Sequence, residues 1–442
     1  MAQAEPMSEA ATPMGVAFAQ LAAAAPDRPA ITHEDRTVSR GELERRTNRL
    51  ARAYARLGVR PDRFVTIALP NGIEIFEATI ATWKLGATPQ PISARLPAAE
   101  RRAILELAAP ALVVGVDPSE VPGRHAVPPG FQPEAALADD PLPPVVAASW
   151  KAPTSGGSTG RPKLIVATQP GVLETITGTF RRTPRVPAGV ALVTGPLSHN
   201  APFASACAGL LMGEHQVVMT RFDAARALAL IERYQVNWMY AVPTMMLRIW
   251  RLPEPERHAR DLSSLRTVLH LGAPCPPWLK QAWIDWLGPD RIWEVYAGTE
   301  AQALTLINGH EWLTHRGSVG RPVIGEIRIL DPGGQICPPG TVGEVWMRRG
   351  EGVPPGYRYI GADAKTRDGW ESLGDMGWMD AEGYLYLTDR DTDMILVGGA
   401  NVYPAEGPSN TSGQPRVSIV ICGGRTYGVR LHDHHRIAKA TT

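Results

Sequence analysis

The run Thr154-Ser155-Gly156-Gly157-Ser158-Thr159-Gly160-Arg161-Pro162-Lys163 orders glycines, hydroxyls and one lysine as a polyphosphate would require. Small residues let backbone N–H groups approach phosphate oxygens, hydroxyls donate further hydrogen bonds, and Lys163 adds a mobile cation. A Walker A loop needs Gly-Lys-Ser/Thr at the start of a helix. Here Arg161 and Pro162 follow Gly160, and Leu164-Ile165-Val166 reads as a strand, so a loop between two strands is expected. A second group, Tyr296-Ala297-Gly298-Thr299-Glu300, places an aromatic face, a glycine, a hydroxyl and a carboxylate within one turn of chain. Tyr296 can stack on a purine, Thr299 can bond a phosphate, and Glu300 is a hard oxygen ligand suited to Mg²⁺ bridging phosphates. The plain alternatives are a flexible Gly/Ser turn for the first group, and a core tyrosine beside a solvated glutamate for the second.

The elements that must position these groups alternate along the chain. Ser39 and Glu42 form a capping-box signature, after which Leu43, Leu50, Tyr54 and Leu57 share one face of a helix. Strands are expected at 64–68, 87–92 and 112–116, with helices over 73–85 and 98–107 between them. Residues 118–144, rich in Pro and Gly, read as a surface connection to the strand before the loop. Beyond the loop, strands are expected at 190–194, 216–219, 237–241, 267–271 and 291–295, and a helix over 224–234. The pattern predicts an α/β fold of mixed, largely parallel sheets flanked by helices, in which segments after strand carboxyl ends converge on one crevice. From residue 325 the alternation of 326–330 and 343–347 between turns predicts a small β-rich subdomain. The expected boundaries are 1–324, 325–390 and 391–442, the last an incomplete remnant of a small C-terminal domain.

Composition narrows the chemistry. The chain has 442 residues, 45 basic and 44 acidic, and a net charge of +1, with no long basic run to bind nucleic acid or an anionic membrane. Cys207, Cys275, Cys337 and Cys422 are widely spaced, which argues against a zinc site or a disulfide framework and for a reducing cytoplasm. The apolar run near Val16 lacks a preceding basic residue, unlike a signal peptide, and no segment has transmembrane length. Small-molecule partners are expected, and a homodimer is left open.

Farther on, Ser372-Leu373-Gly374-Asp375 and then Asp389-Arg390, Asp393-Met394, Ile395 to Tyr403 and Pro404 complete an order of motifs. Together, T-S-G-G-S-T-G-R-P-K, Y-A-G-T-E, G-D and D-R-x-x-D-M-I-L-V-G-G-A-N-V-Y-P-A-E resemble the AMP-forming adenylating superfamily of acyl-CoA synthetases, peptide-synthetase adenylation domains and luciferases. The resemblance runs from the N-terminus to Glu406. It implies that Thr154 to Gly160 and Lys163 grip the phosphates of ATP, with Thr154, Ser155, Ser158 and Thr159 as the hydroxyl donors. It implies that Gly272, Ala273, Pro274 and Tyr296 border adenine, that Ala297, Gly298 and Thr299 complete the nucleotide site, and that Glu300 binds Mg²⁺. Asp375 matches the ribose carboxylate and Arg390 its basic companion. His199, in Pro196-Leu197-Ser198-His199-Asn200, matches the histidine between the acyl and nucleotide pockets. Asn200, Phe203, Met245, Met246 and Ala301 would line the acyl pocket. Gly398 and Gly399 match the glycine loop of a thiol channel that opens when a small C-terminal domain swings about residue 392.

The implied activity joins a carboxylic acid to coenzyme A through an acyl-adenylate, with Lys163, His199, Thr299 and Glu300 as the catalytic set. No acidic residue follows the His199 region to pair an α-amino group, so a bulky aryl, alicyclic or steroid-like acid is expected rather than an amino acid. The chain departs from the pattern in two places. Thr392 stands where Asp or Lys is usual, and 407–442 lacks the terminal Pro-x-x-x-x-Gly-Lys segment, as expected of a truncated or aberrant C-terminal domain. Adenylation is expected to be impaired without that lysine. His432, His434 and His435 are expected in a solvated tail rather than around a metal. An amide-forming ligase is the enzymatic alternative, and a non-catalytic binder of ATP or acyl-adenylate is the alternative outside enzymes.

Overall fold

The structure is a computed structural model that describes residues 11–156 and 162–388, and the backbone strands Ile395–Val397, Ala400–Val402, Arg416–Cys422 and Arg425–His432. Contacts group the chain into two compact units. One contains the chain up to Ile327 with Met347–Glu371, and the other contains Arg328–Trp346 with the chain from Ser372 onward. The compositional boundaries at 325 and 391 therefore do not coincide with the contact boundaries.

In the first unit a nine-stranded sheet has six parallel strands at its centre: Pro29–His33, His215–Val218, Val190–Val193, Trp238–Ala241, Thr267–His270 and Ile292–Ala297. Antiparallel strands close both edges, Arg36–Ser39 on one side and Leu304–Asn308 with Arg321–Ile324 on the other. Parallel strands buried on both faces need near-continuous apolar sequence, and Trp238–Ala241 and Thr267–His270 are buried at every position. The strand expected at 291–295 runs to Ala297. Its antiparallel neighbour pairs Tyr296 with Thr305 and Ala297 with Leu304, so Tyr296 and Ala297 lie on the strand rather than after it.

A second, four-stranded parallel sheet orders Thr88–Pro91, Phe64–Ile67, Leu112–Val114 and Ala126–Val127. Pro89 and Pro91 are tolerated because their strand lies at the edge, where missing N–H groups cost no ladder bond. The third strand stops before Gly115, which was expected within it. Gly115 has φ +87°, and a Cβ there would lie 2.6 Å from the Ala68 carbonyl oxygen. The helix after Ser39 spans Arg40–Arg56, with the Ser39 hydroxyl accepting from the Glu42 N–H at 3.2 Å and Leu43, Leu50 and Tyr54 buried. A third sheet of Tyr357–Ile360, Pro162–Ala167 and Thr154–Gly156 carries the glycine-rich loop.

In the second unit, residues 377–379 pair antiparallel with Leu385–Leu387, and Trp378 stacks on Tyr386 with ring centroids 3.9 Å apart. Arg416–Cys422 and Arg425–His432 form an antiparallel hairpin, so His432 stands at a strand end rather than in the expected tail. His434 and His435 lie outside the described residues.

One side chain ties the sheets to the turn that carries His199. Asn71 donates to the carbonyls of Gly195 and Met219 at 2.9 and 3.0 Å and accepts from the Leu197 N–H at 2.8 Å. Asn71→Ala leaves that buried N–H and both carbonyls without their partner, at a cost of about 2 to 3 kcal/mol. Urea unfolding of the variant should show this loss, and an unchanged midpoint would refute the clamp.

Candidate active site

The loop is the tip of an antiparallel hairpin. Thr154 pairs with Leu164, Ser155 with Lys163 and Gly156 with Pro162, while 157–161, including Gly157, Ser158, Thr159 and Gly160, lie outside the described residues. A hairpin stem fixes the two ends of the loop. The Thr154 hydroxyl accepts from Gln90, whose own carbonyl accepts from Thr66 at 2.5 Å.

Glu300 faces this hairpin. The Ala301 N–H bonds the Gly298 carbonyl at 3.1 Å, and Ala301 takes a left-handed φ of +54°, so the chain turns sharply at the end of its strand. The turn leaves Ala301 exposed and Glu300 only 5% exposed. Lys163 Nζ lies 3.6 Å from Glu300 Oε1, and the Tyr359 hydroxyl donates to the same oxygen at 2.5 Å. Lys163 also sits 4.0 Å above the Tyr359 ring, because Tyr359 pairs with Ile165 on the adjacent strand. Burial, and then the hydrogen bond to Glu300, push the Tyr359 phenol well above its ordinary pKa, so it stays a donor. Behind it, Tyr357 packs edge-on at 4.8 Å and donates to Glu371 at 2.8 Å. Neither tyrosine stands out in the sequence, since each reaches the site only through strand register.

His199 is exposed at the start of the helix Asn200–Leu211 and makes no side-chain cap bond. Phe203, at 2% exposure, joins the main apolar core with Leu197 and Cys207. Met245 and Met246 stand on the helix Pro243–Trp250, the first half-buried and the second fully buried, so they do not share one face. Gly272, with φ +85°, Ala273 and Pro274 are exposed beyond the strand Thr267–His270. Tyr296, Ala297, Gly298 and Thr299 are half-buried. Asp375 is half-buried in the second unit, and Arg390, Gly398 and Gly399 lie outside the described residues.

Sequence reasoning passed over Lys151. Its side chain is buried beside the site and donates to Asn200 Oδ1. The backbone around it is pinned on every side. Thr88 and Trp83 bond the carbonyls of Ser149 and Trp150, Ala167 bonds that of Lys151, and Ala152 N–H reaches Pro89. Burial lowers the Lys151 ammonium to a pKa of about 7, against partial support from the charge of Glu300. Burial pushes the Cys207 thiol up, so it is a neutral neighbour. The available signal was a charge within Trp150-Lys151-Ala152-Pro153, where a strand entering the loop should be apolar.

This lysine makes stability depend on pH. Between about 7 and 10.5 the unfolded chain holds a proton that the folded chain releases, so stability rises with pH across that window. Lys151→Met removes the dependence. The stability of wild type relative to Lys151→Met should therefore increase by about 2 kcal/mol from pH 7 to pH 9 in urea titrations. A difference that is flat with pH would contradict the burial of the charge.

The chain resembles known proteins in sequence and in fold. A model of the AMP-binding enzyme family matches residues 18–358. A feruloyl-CoA synthase of Amycolatopsis sp is 32% identical over 404 residues, covering 89% of this chain and 81% of that protein. A sulfoacetate–CoA ligase of Cupriavidus necator is 29% identical, with 86% and 79% covered. Among solved structures, o-succinylbenzoate coenzyme A synthetase from Bacillus subtilis in complex with ATP and magnesium ion superposes with TM-score 0.75 at 25% identity, covering 94% of this chain and 89% of that one. A putative long-chain-fatty-acid CoA ligase from Rhodopseudomonas palustris gives 0.71 at 27% identity, with 86% and 99% covered. With its hairpin loop, its Glu300 turn and a family match over most of its length, this chain belongs to the AMP-binding enzyme family, the AMP-forming adenylating superfamily.

Proposed function

We propose that the chain activates a bulky hydrophobic carboxylic acid with ATP to an acyl-adenylate and passes the acyl group to coenzyme A. The observation that carries this reading is the meeting of Lys163 and Glu300, 3.6 Å apart, at the stem of the glycine-rich hairpin. A cation and a carboxylate so placed can separate to receive a phosphate and its counter-ion. In this reading the loop from Thr154 to Gly160 and Lys163 hold the phosphates, and Thr299 bonds one of them. Tyr296 and the segment Gly272-Ala273-Pro274 border adenine, and Asp375 and Arg390 take the ribose. His199 and Asn200 stand at the acyl entrance, with Phe203, Met245, Met246 and Ala301 shaping the pocket, and Gly398 and Gly399 serve the thiol.

The residues present fit a magnesium ion. Both described contacts of Glu300 fall on Oε1, which leaves Oε2, a hard oxygen, to face a cation shared with ATP phosphates. Held there, magnesium would offset charge on the departing pyrophosphate. The chain's own part is electrostatic and positional. Lys163 and the loop N–H groups stabilise the same developing charge, and Tyr359 fixes the rotamer of Glu300. An acid oxygen attacks the α-phosphorus, the bond to pyrophosphate breaks, and the thiol sulfur later displaces AMP from the carbonyl carbon.

Acid-dependent ATP–pyrophosphate exchange with ferulate and 2-succinylbenzoate, followed by mass analysis after adding coenzyme A, tests this. An acyl-CoA product is expected, and Glu300→Gln or Lys163→Met should lower exchange by about 100-fold. Exchange that needs no acid, or variants as active as wild type, would overturn the reading.

A further inference from the structure

We infer that Lys151 is the carboxylate-binding cation of the acyl site, its missing counter-ion being the acid substrate itself; the inference rests on the adenylating function proposed above. Three lysines are buried among the described residues, and two of them are paired within the fold. Lys84 and Lys280 are both withdrawn from water, and each carries a carboxylate at 2.6 Å, Glu44 and Glu294 respectively. Lys84 has the amide oxygen of Asn48 as well, at 2.7 Å. Lys151 is buried to the same degree, at 7% exposure, yet among the described residues it has no carboxylate within ion-pairing distance. Its hydrogen-bond partner is Asn200, a neutral amide. Residues 157–161, Gly-Ser-Thr-Gly-Arg, the undescribed residues nearest to Lys151 in the chain, contain no acid. A buried ammonium without an anion is costly, and folds keep such groups where a ligand completes them.

Its position suits the reacting end of the acid. Asn200 follows His199 at the acyl entrance, and Lys151 feels the charge of Glu300, which lies against Lys163 and the phosphate hairpin. A carboxylate approaching the α-phosphate meets like charge. An ammonium held beside Asn200 offsets that repulsion and, with two N–H donors beyond the one given to Asn200, can hold one carboxylate oxygen while the other attacks. The pinned backbone of 149–153 keeps the ammonium in place before the acid arrives. Trp150, whose ring lies 4.7 Å from the Lys151 nitrogen, adds a neutral face that stabilises the charge without competing for the acid.

Calorimetric binding of ferulate and benzoate, each against its own primary amide, tests the assignment on the full chain at about pH 6, where Lys151 holds its proton, with ATP titrated separately. Wild type should bind each acid at least about 10-fold more tightly than its amide. In Lys151→Met that preference should fall to about 2-fold or less, Lys151→Arg should retain most of it, and ATP affinity should be unchanged in both. ATP binding accompanied by no preference for acid over amide in wild type overturns the role of Lys151 and leaves the adenylating reading standing. A preference that survives intact in Lys151→Met does the same. Failure of wild type to bind ATP overturns the adenylating reading, and this inference with it. If Lys151→Met does not fold, Lys151→Gln, a shorter neutral donor, takes its place, and the wild-type ratio of acid to amide still decides the first arm.

Discussion

Holding the Glu300 carboxyl group away from water is the constraint on which the site turns. Burying such a group without partners is costly, so it needs a cation and a donor fixed by the fold. Three segments far apart in the chain supply what is needed. The turn at 298–301 presents the carboxylate, the hairpin strand Pro162–Ala167 presents Lys163, and the strand Tyr357–Ile360 presents the Tyr359 hydroxyl. The last two are neighbours because Tyr359 pairs with Ile165, and the ring of Tyr359 lies under the Lys163 ammonium. Register in one three-stranded sheet therefore sets the charge balance around Glu300, and a shift of one residue would turn Tyr359 to the other face.

Motifs that are contiguous in sequence could be read from it directly. Thr154 to Lys163 and Tyr296 to Glu300 carry their chemistry in local composition, and the alternation of apolar runs around them was enough for an α/β fold with largely parallel sheets. What could not be read depended on partners distant in the chain. Tyr296 and Ala297 belong to a strand because Leu304–Asn308 returns beside them, and nothing near residue 296 announces that return. Tyr359 resembles any strand tyrosine until its register is known. Asn71, in Leu69-Pro70-Asn71-Gly72, looks like a turn former, yet its amide bonds three backbone groups 124 to 148 residues away. The prolines at 89 and 91 read against a strand until the edge position explains them.

Buried charge shows the same contrast between what sequence carries and what packing decides. The chain has six lysines, Lys84, Lys151, Lys163, Lys280, Lys365 and Lys439, and a lysine is solvated by default. Three of them are withdrawn from water here, at 6%, 7% and 1% exposure for Lys84, Lys151 and Lys280. Lys84 and Lys280 link helices and strands through carboxylates within the fold, so their charges are balanced before any ligand arrives. A balanced pair of this kind specifies packing but has little left to offer a ligand.

Lys151 differs from these in its chemistry more than in its depth. Methionine there would pack as well and would remove a desolvation penalty, so stability alone gives no reason for the ammonium. The surrounding backbone bonds hold it in place at that cost, with an amide rather than a carboxylate as its partner among the described residues. Proteins keep such destabilising groups where function uses them, and a reaction that brings an anion toward a polyphosphate is one that gains from an uncompensated cation placed beforehand. In the proposed reaction the glycine-rich hairpin and the buried lysine twelve residues before Lys163 serve as two halves of one electrostatic device, the first for the leaving charge and the second for the entering one.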